Sequence, residues 1–397
     1  MCVFLCILVL LSIDSLFFLL SLSFSFSLLK DGDIFLGEHK MRADTGLYFF
    51  ENVGDSENAQ FIQRISSTRN PVFGISLGKF MSPFIFDFDN DGDGDLLVGI
   101  LNRYLTYYEN TGSATNPAFT QIVDADQHPY SSILTRRHSQ PTIMPIKYIT
   151  WTYVIVSQII TESKNEVVSQ TSSSGILVSG TLTTALTGSG MISVTITSHL
   201  GIIFNTNGDL IIGGTTIDQD HLVRVTSVTT ILNELVTGTE DHITYYASSK
   251  PITPTFTPRL GGSNPFDDLI TQAVAVDPTF SFLSSFPTMG DLDNDGDLDL
   301  VVGTAAKNLF YFRNDGSAKV PKFTIQDGSS ATSSNLLFPL HGKLDSYTTP
   351  VLFDLSQDGK LDLIVGNLWN IVYAKNTGTK ASPVFTLITG AESPFCA

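Results

Sequence analysis

The sequence predicts an all-β protein assembled from repeated β-sheets. An acidic motif occurs three times in the 397 residues, and each copy is followed by a short apolar run that ends in glycine. Ser, Thr, Gly, Val, Ile and Phe are frequent, and no long segment has the apolar period of an amphipathic helix. The last two copies are 63 residues apart, measured from Asp299 to Asp362. A period of that length, filled with short β-runs and turn signals, is typical of a propeller blade or a solenoid unit.

The acidic motif alternates aspartate with other residues around a central glycine. Its clearest copy extends from Asp291 to Asp299, with Gly296 at the expected bend. Aspartates at every second position of a strand would repel one another and have poor strand propensity. A bound cation removes that repulsion, and Ca²⁺ suits the motif better than Mg²⁺ because Ca²⁺ accepts many oxygen ligands in a flexible shell. The motif resembles the start of an EF-hand, but its twelfth position is Val302 instead of glutamate and a β-type run replaces the exit helix.

The three copies predict three calcium sites, and we expect a backbone carbonyl near Asp297 to add a further ligand in one of them. A solvated acidic turn is the alternative for any single copy, whereas three copies with the same downstream pattern favour calcium. Ser356 replaces an acid in the last copy, so we expect that site to be the weakest. The candidate ligands are Asp87, Asp89, Asp91 and Asp95 in the first copy, Asp291, Asp293, Asp295 and Asp299 in the second, and Asp354, Ser356, Asp358 and Asp362 in the third.

Each acidic motif is followed by the same order of signals. An aromatic run ends in an Asn close to a Gly, and a Pro-x-Phe-Thr sequence comes next. A proline also lies four residues before each motif, at Pro83, Pro287 and Pro350. The three copies of the downstream signals are Tyr107–Gly112 with Pro117–Thr120, Tyr311–Gly316 with Pro321–Thr324, and Tyr373–Gly378 with Pro383–Thr386.

These motifs resemble FG-GAP/VCBS-type repeats, the blades of the integrin-α-like β-propeller. The resemblance covers roughly residues 31–123 and 242–387. It implies a four-stranded blade for each repeat, calcium loops on one face of the ring, and metal roles for the residues named above, with Ser356 as the departure. It implies no catalytic residues. We therefore expect a β-propeller with about five recognisable blades, either incomplete or closed with five to seven.

The first repeat begins in the middle of the motif. Asp33 aligns with Asp95, but the upstream acidic positions hold Ser25, Ser27 and Leu29. We therefore expect no metal in this repeat.

The third repeat is interrupted by an insertion. The first two acidic motifs are about 140 residues further apart than one period. Residues 140–145 have the proline spacing of a repeat, with Pro145 in place of the first acid, and the aromatic run resumes at Ile243–Tyr246. We expect a Ser/Thr-rich β-insertion at 146–241, including a half-buried strand at Ile192–Thr197. This repeat has lost its calcium loop.

The predicted organisation also includes an N-terminal apolar segment. Residues 1–29 carry one charge, Asp14, and form a run long enough to cross a bilayer. The run lacks a basic first region and a clear cleavage site. A secretory leader or a membrane anchor is the favoured interpretation, and a chain start outside the fold is the alternative. Propeller repeats then occupy 30–145 and 242–397 on either side of the insertion.

Composition limits the classes of function. The formal net charge of −17 argues against a nucleic-acid partner, because phosphate binding requires basic patches. The three cysteines give no disulfide framework, the seven histidines have no metal-binding spacing, and no nucleophile elbow or phosphate loop occurs. A calcium-dependent fold suits the outside of the cell, where millimolar Ca²⁺ fills sites with Kd on the order of 10⁻⁴–10⁻³ M. We therefore expect a secreted or cell-surface protein that is not an enzyme.

The favoured function is an extracellular or cell-surface scaffold for recognition or adhesion, with a protein or a glycan as its ligand. One alternative is an accessory carbohydrate-binding propeller of a secreted carbohydrate-active enzyme. The other is a lectin whose repeated aromatic residues form sugar platforms, although aromatic residues at repeat-equivalent strand positions more often belong to the blade core. The residues concerned are Tyr107, Tyr108, Tyr311, Phe312 and Tyr373.

Overall fold

The structure of the chain is a computed structural model. The residues that it describes are 24–28, 32–38, 46–54, 59–89, 91–101, 105–124, 128, 130–131, 133, 139–155, 160–162, 167–171, 177–182, 186–188, 192–198, 209–212, 215–217, 222–239, 242–248, 256–259, 264–276, 284–307, 309–318, 320–326, 336–340, 342–368 and 370–395.

Contacts divide the chain into two compact units. The first unit comprises Met1–Met144, Glu234–Gly316 and Pro321–Ala397, and the second comprises Pro145–Asn233 with Ser317–Val320. Strands form nearly all the regular structure of the described residues. The exceptions are one α-helix, α1 (Leu269–Val276), and two short 3₁₀ helices, Phe338–Leu340 and Gly390–Glu392.

The propeller has five blades, in each of which four strands pair in order. Four blades are separate four-stranded antiparallel sheets of the first unit. Blade 3 is the end of a nine-stranded sheet, and only residues 140–144 of its first strand and 234–238 of its second belong to the first unit. This arrangement confirms the predicted all-β propeller. Blade 1 consists of β1 (Phe24–Leu28), β2 (Ile34–Glu38), β3 (Leu47–Asn52) and β4 (Phe61–Gln63), and blade 2 of β5 (Ser82–Phe86), β6 (Asp95–Gly99), β7 (Leu105–Asn110) and β8 (Phe119–Gln121). Blade 3 consists of β9 (Gln140–Ile155), β17 (Leu222–Gly238), β18 (Ile243–Ser248) and β19 (Phe256–Arg259). Blade 4 consists of β20 (Ser285–Gly290), β21 (Asp299–Thr304), β22 (Leu309–Asn314) and β23 (Phe323–Gln326), and blade 5 of β24 (Thr349–Phe353), β25 (Asp362–Gly366), β26 (Ile371–Asn376) and β27 (Phe385–Ile388).

The second strand of a blade is its most deeply buried element. Every residue of β6, β21 and β25 is buried. This burial explains why each acidic motif is followed by a continuous apolar run instead of an alternating one.

Contacts between consecutive blades close the ring. Ser285 Oγ donates a hydrogen bond to the Thr239 carbonyl at 3.1 Å between blades 3 and 4, and the Phe266 ring stacks on Phe323 with centroids 5.1 Å apart. The ring therefore closes with five blades. At each of the other four junctions, one apolar cluster contains residues of both blades. The pairs are Phe35 and Leu96 in blades 1 and 2, Leu97 and Tyr246 in blades 2 and 3, Val301 and Leu363 in blades 4 and 5, and Ile364 and Ile34 in blades 5 and 1.

Consecutive blades approach closely at the glycine near the end of the second strand. A Cβ atom placed on Gly303 would lie 1.9 Å from the carbonyl oxygen of Thr348 and 2.8 Å from Cδ of Pro350. The glycine after each apolar run and the proline before each acidic motif thus meet at one contact between blades. Equivalent Cβ positions on Gly37, Gly99 and Gly238 would lie 2.0, 1.9 and 2.0 Å from backbone oxygens of the next blade.

The second unit overlaps the segment 146–241 that was predicted as an insertion. Its contacts end at Asn233 instead of residue 241, because the last residues of β17 form the second strand of blade 3. The strand expected at Ile192–Thr197 is observed as β14. Within this unit β10 pairs with β13, and β16, β15, β11, β12 and β14 follow one another in a sheet. The strands are β10 (Ile160–Glu162), β11 (Val167–Thr171), β12 (Leu177–Leu182), β13 (Leu186–Gly188), β14 (Ile192–Ser198), β15 (Leu210–Ile212) and β16 (Thr215–Ile217).

The first strand of blade 1 lies within the segment predicted as a leader. β1 pairs antiparallel with β2, from Phe24 opposite Glu38 to Leu28 opposite Ile34. This part of the predicted leader belongs to the propeller instead, and residues 1–23 lie outside the described residues. No helix in the described part of the chain has the length and apolar character needed to span a bilayer.

We expect Gly303→Ala to lower the free energy of unfolding by about 1–3 kcal/mol, because the added methyl group would displace the backbone of blade 5. Denaturant unfolding followed by circular dichroism measures the change. Gly46→Ala is the matched control, since a Cβ there would meet its nearest atom, the Ile75 oxygen, at an ordinary 3.5 Å. Equal stability of the two variants would contradict the tight contact between blades 4 and 5.

Candidate metal centre

The three acidic loops occupy the same connection in three blades. Each loop joins the first strand of its blade to the second, in blades 2, 4 and 5. Equivalent connections of a propeller lie on one face of the ring, so the three loops share a face. In blade 3 the same connection holds the insertion.

The first aspartate of each loop organises the backbone around the central glycine. Asp87 accepts hydrogen bonds from the amides of Asp91 and Gly92, both at 3.1 Å. Asp291 accepts one from the amide of Gly296 at 3.2 Å. The φ angles of Gly92 and Gly296 are 100° and 97°, in the region that favours glycine. The predicted bend is therefore present in both loops.

Two loops bring three carboxylates together. In blade 4, oxygens of Asp291, Asp293 and Asp295 lie within 4.8 Å of one another. The Oδ1 atoms of Asp291, Asp293 and Asp297 are buried and have no hydrogen-bond partner. The equivalent cluster in blade 2 consists of Asp87, Asp89 and Asp91, and Asp93 Oδ1 is likewise buried without a partner.

Burial and neighbouring carboxylates raise the pKa of several aspartates in these loops. Burial raises the pKa of Asp293, and the nearby carboxylates of Asp295 and Asp291 raise it further. Burial, followed by repulsion from Asp295 and Asp299, raises the pKa of Asp297 to about 7. In blade 2 the pKa of Asp89 is raised by burial and by its acidic neighbours.

Three carboxylates within 4.8 Å of one another, in a loop that also holds buried oxygens without a partner, fit a hard cation, because carboxylate oxygens are ligands that Ca²⁺ prefers. The residues that would hold the ion are the clustered aspartates of blades 2 and 4. When bound, Ca²⁺ would supply positive charge and oxygen coordination. The loops themselves supply the bend and the orientation of the carboxylates.

The last aspartate of the motif has a different environment from the other predicted ligands. Asp95 is 1% exposed and accepts hydrogen bonds from the Tyr107 hydroxyl at 2.9 Å and from the amides of Asn110 at 2.7 Å and Phe88 at 3.2 Å. Burial raises its pKa to about 7. This carboxylate therefore connects the loop to the third strand of its own blade, and the three-carboxylate cluster forms without it.

The same hydrogen bonds occur in the other motif-bearing blades. Asp299 accepts from the Tyr311 hydroxyl and the Asn314 amide at 3.1 and 2.8 Å, and burial raises its pKa to about 6. In blade 1, which lacks the loop acids, Asp33 still accepts from the Asn52 amide at 2.6 Å. The contact is therefore kept where no metal is expected. In blade 5, Asp362 accepts from the Tyr373 hydroxyl and the Asn376 amide, both at 2.8 Å.

The asparagine in this contact explains the Asn and Gly signals of the repeat. Asn110 Oδ1 accepts hydrogen bonds from the amides of Gly112 at 3.1 Å and Ala118 at 2.9 Å. Asn314 makes the same bonds to Gly316 and Lys322, at 3.0 and 2.9 Å. Its side chain thus holds the turn between the third and fourth strands.

Sequence reasoning missed two side chains in these loops. Asp93 and Asp297 stand at the seventh position of the motif. A backbone carbonyl near Asp297 was the only contribution expected from this position, yet the Oδ1 atoms of both side chains are buried without a partner, and burial together with neighbouring acids raises the pKa of both. The sequence did hold a signal for these side chains, because the seventh position is an aspartate in both copies. The structure also confirms that the repeat-equivalent aromatics belong to the blade core, because Tyr107, Tyr108, Tyr311, Phe312 and Tyr373 are all buried.

The comparison with family models identifies the repeat. Residues 291–365, from the loop of blade 4 into the second strand of blade 5, match the model described as FG-GAP-like repeat. The five-bladed propeller therefore contains a segment that matches an FG-GAP-like repeat. No curated protein matches it. Among solved structures, the extracellular domain of BT4673 from B. thetaiotaomicron is similar over 90% of the present chain, with 14% identity and a TM-score of 0.27; the chain spans 39% of that structure.

The hydroxyl of Tyr107 provides a test of the buried carboxylate of blade 2. We expect Tyr107→Phe to lower the free energy of unfolding by about 1–3 kcal/mol, because Asp95 would lose a buried hydrogen bond. Tyr108→Phe on the same strand is the control, since its hydroxyl makes no hydrogen bond within the described residues. Thermal and denaturant unfolding of both variants measure the difference, and equal losses would argue against the assigned contact.

Proposed function

We propose that the chain is a non-catalytic, calcium-stabilised propeller that serves as an extracellular or cell-surface scaffold for recognition or adhesion. The observation that carries this proposal is the pair of equivalent loops in blades 2 and 4. In each loop three carboxylates lie within 4.8 Å of one another. Buried oxygens without a hydrogen-bond partner accompany them, one in blade 2 and three in blade 4.

The proposed role of calcium is structural. Burial and mutual repulsion raise the pKa of several loop carboxylates, so the ionised loops are costly to fold without a counter-charge. A bound cation stabilises the ionised form and holds the connection between the first two strands. The loops of that face of the ring would then present a constant surface to a ligand.

The proposed location follows from calcium supply. Sites with Kd on the order of 10⁻⁴–10⁻³ M are filled in the millimolar calcium outside cells. The formal net charge of −17 also disfavours nucleic acid as a partner. A protein or a glycan is the proposed ligand.

The described blades offer little support for a repeated sugar platform. Sugar stacking requires an open aromatic face, but Tyr107, Tyr311 and Tyr373 are 5%, 4% and 6% exposed and lie within the blades. A scaffold that binds through its loops is therefore preferred to the lectin and to the accessory carbohydrate-binding propeller.

Calcium should raise thermal stability through the loop of blade 4. Filling a site to ~100 times its Kd adds ~2.7 kcal/mol, so we expect the midpoint of the intact chain to rise by several degrees from EDTA to millimolar Ca²⁺. Asp291→Asn should remove part of that rise. Asp268→Asn, which removes the same charge at an exposed site outside the loops, should retain all of it.

Differential scanning fluorimetry with Ca²⁺, Mg²⁺ and EDTA provides the measurement. Identical midpoints in calcium and EDTA would exclude the structural role of calcium. Binding to glycan arrays and to extracellular protein libraries, each in calcium and in EDTA, then tests the scaffold. Activity on polysaccharides would instead favour the carbohydrate-active enzyme.

A further inference from the structure

The loop of blade 5 differs in charge from the loops of blades 2 and 4. Each of those two loops contains five aspartates, a formal charge of −5, whereas the blade 5 loop contains three aspartates and one lysine, a formal charge of −2. The lysine, Lys360, stands at the seventh position, which Asp93 and Asp297 occupy in the other loops. Blade 5 therefore carries a positive group at the position where blades 2 and 4 carry a negative one.

The Lys360 side chain contacts two kinds of oxygen. Its Nζ lies 3.1 Å from Asp358 Oδ2 and donates a hydrogen bond to the Gly378 carbonyl at 3.3 Å. A carboxylate and a backbone carbonyl are also the oxygens that a calcium loop uses. Through Gly378, Lys360 ties the loop to the turn that follows β26.

The blade 5 loop keeps the backbone of the other loops. Asp354 accepts hydrogen bonds from the amides of Asp358 and Gly359 at 3.0 and 2.8 Å, as Asp87 does with the amides of Asp91 and Gly92. The common bend is thus present in a loop with a different charge.

The residues of blade 5 do not fit a calcium ion as those of blades 2 and 4 do. Blade 5 shares one feature with them, because the Oγ atom of Ser356 is buried without a hydrogen-bond partner. That oxygen is neutral, however, and blade 5 has no three-carboxylate cluster among its described residues.

We propose that the Lys360 ammonium takes the place of a metal ion in blade 5, so that the chain binds calcium in blades 2 and 4 and not in blade 5. The calcium part of this proposal rests on the function proposed above. It replaces the expectation of a weak third site formed by Asp354, Ser356, Asp358 and Asp362. The role of Lys360 concerns only the folded loop of blade 5 and can be tested without calcium.

Calcium stoichiometry tests the first part. The intact chain is dialysed against millimolar Ca²⁺, and bound metal is measured by plasma mass spectrometry. We expect two ions per chain, and three for Ser356→Asp combined with Lys360→Asp, which restores the acids of blades 2 and 4. Ser356→Asp combined with Lys343→Asp has the same net charge and should remain at two, because Lys343 lies outside the loop.

Three ions bound by the unaltered chain would overturn the proposal, as would two ions bound by the Ser356→Asp, Lys360→Asp variant in its folded form. Zero ions would refute calcium binding in blades 2 and 4 and leave the role of Lys360 to be decided in EDTA.

Thermal unfolding in EDTA tests the role of Lys360. We expect Lys360→Met to lower the thermal midpoint by about 2 °C or more relative to Lys343→Met. Equal midpoints would overturn the role of Lys360.

Discussion

A buried carboxylate at the start of the second strand is the interaction on which each repeat depends. In blades 2, 4 and 5 this aspartate accepts the amide of the asparagine that ends the third strand, and the asparagine side chain in turn holds the next turn. A single side chain thus links three successive parts of the sheet. Removing it would leave a buried amide unsatisfied, a change that costs about 1–3 kcal/mol. Blade 3 keeps an acid at the register-equivalent position, Glu234, which is buried.

A second constraint acts between blades and explains why the repeat is more than an independent sheet. The second strand must pass so close to the next blade that only hydrogen fits on its glycine, as at Gly303 and Gly99. The proline of the following strand packs at the same place in the junction of blades 4 and 5. These contacts recur around a ring that closes between blades 5 and 1, so each blade packs against two neighbours through shared apolar clusters.

Much of the fold could be predicted because its signals are local and periodic. Alternate acids around Gly296, the buried run after Asp299 and the prolines each occupy a constant place in the repeat. Five repeats could be counted in the sequence, but closure of the ring with those five was not accessible, because closure depends on contacts between residues as distant in sequence as Ile34 and Ile364. The role of Asp95 was also hidden, since an aspartate that binds metal and one that accepts amide hydrogen bonds look identical in sequence. Asp33, retained without the other acids, was the one available sign of the second role.

The connection between the first and second strands differs in charge from blade to blade. Blade 1 retains the buried aspartate without the upstream acids, and blade 3 replaces the connection with an insertion. Blade 5 keeps the bend and supplies its own ammonium. The blade sheet is formed in all of these cases, so the sheet itself does not require an acidic loop. Repulsion between the loop aspartates of blades 2 and 4 therefore lowers the stability of a sheet that could form without them. Blade 5 has less of this repulsion, because Lys360 replaces one of the aspartates. This loss of stability is expected in loops that bind a cation, because the bound charge offsets the repulsion between the carboxylates. The stability of the loops on that face of the ring then depends on the calcium concentration.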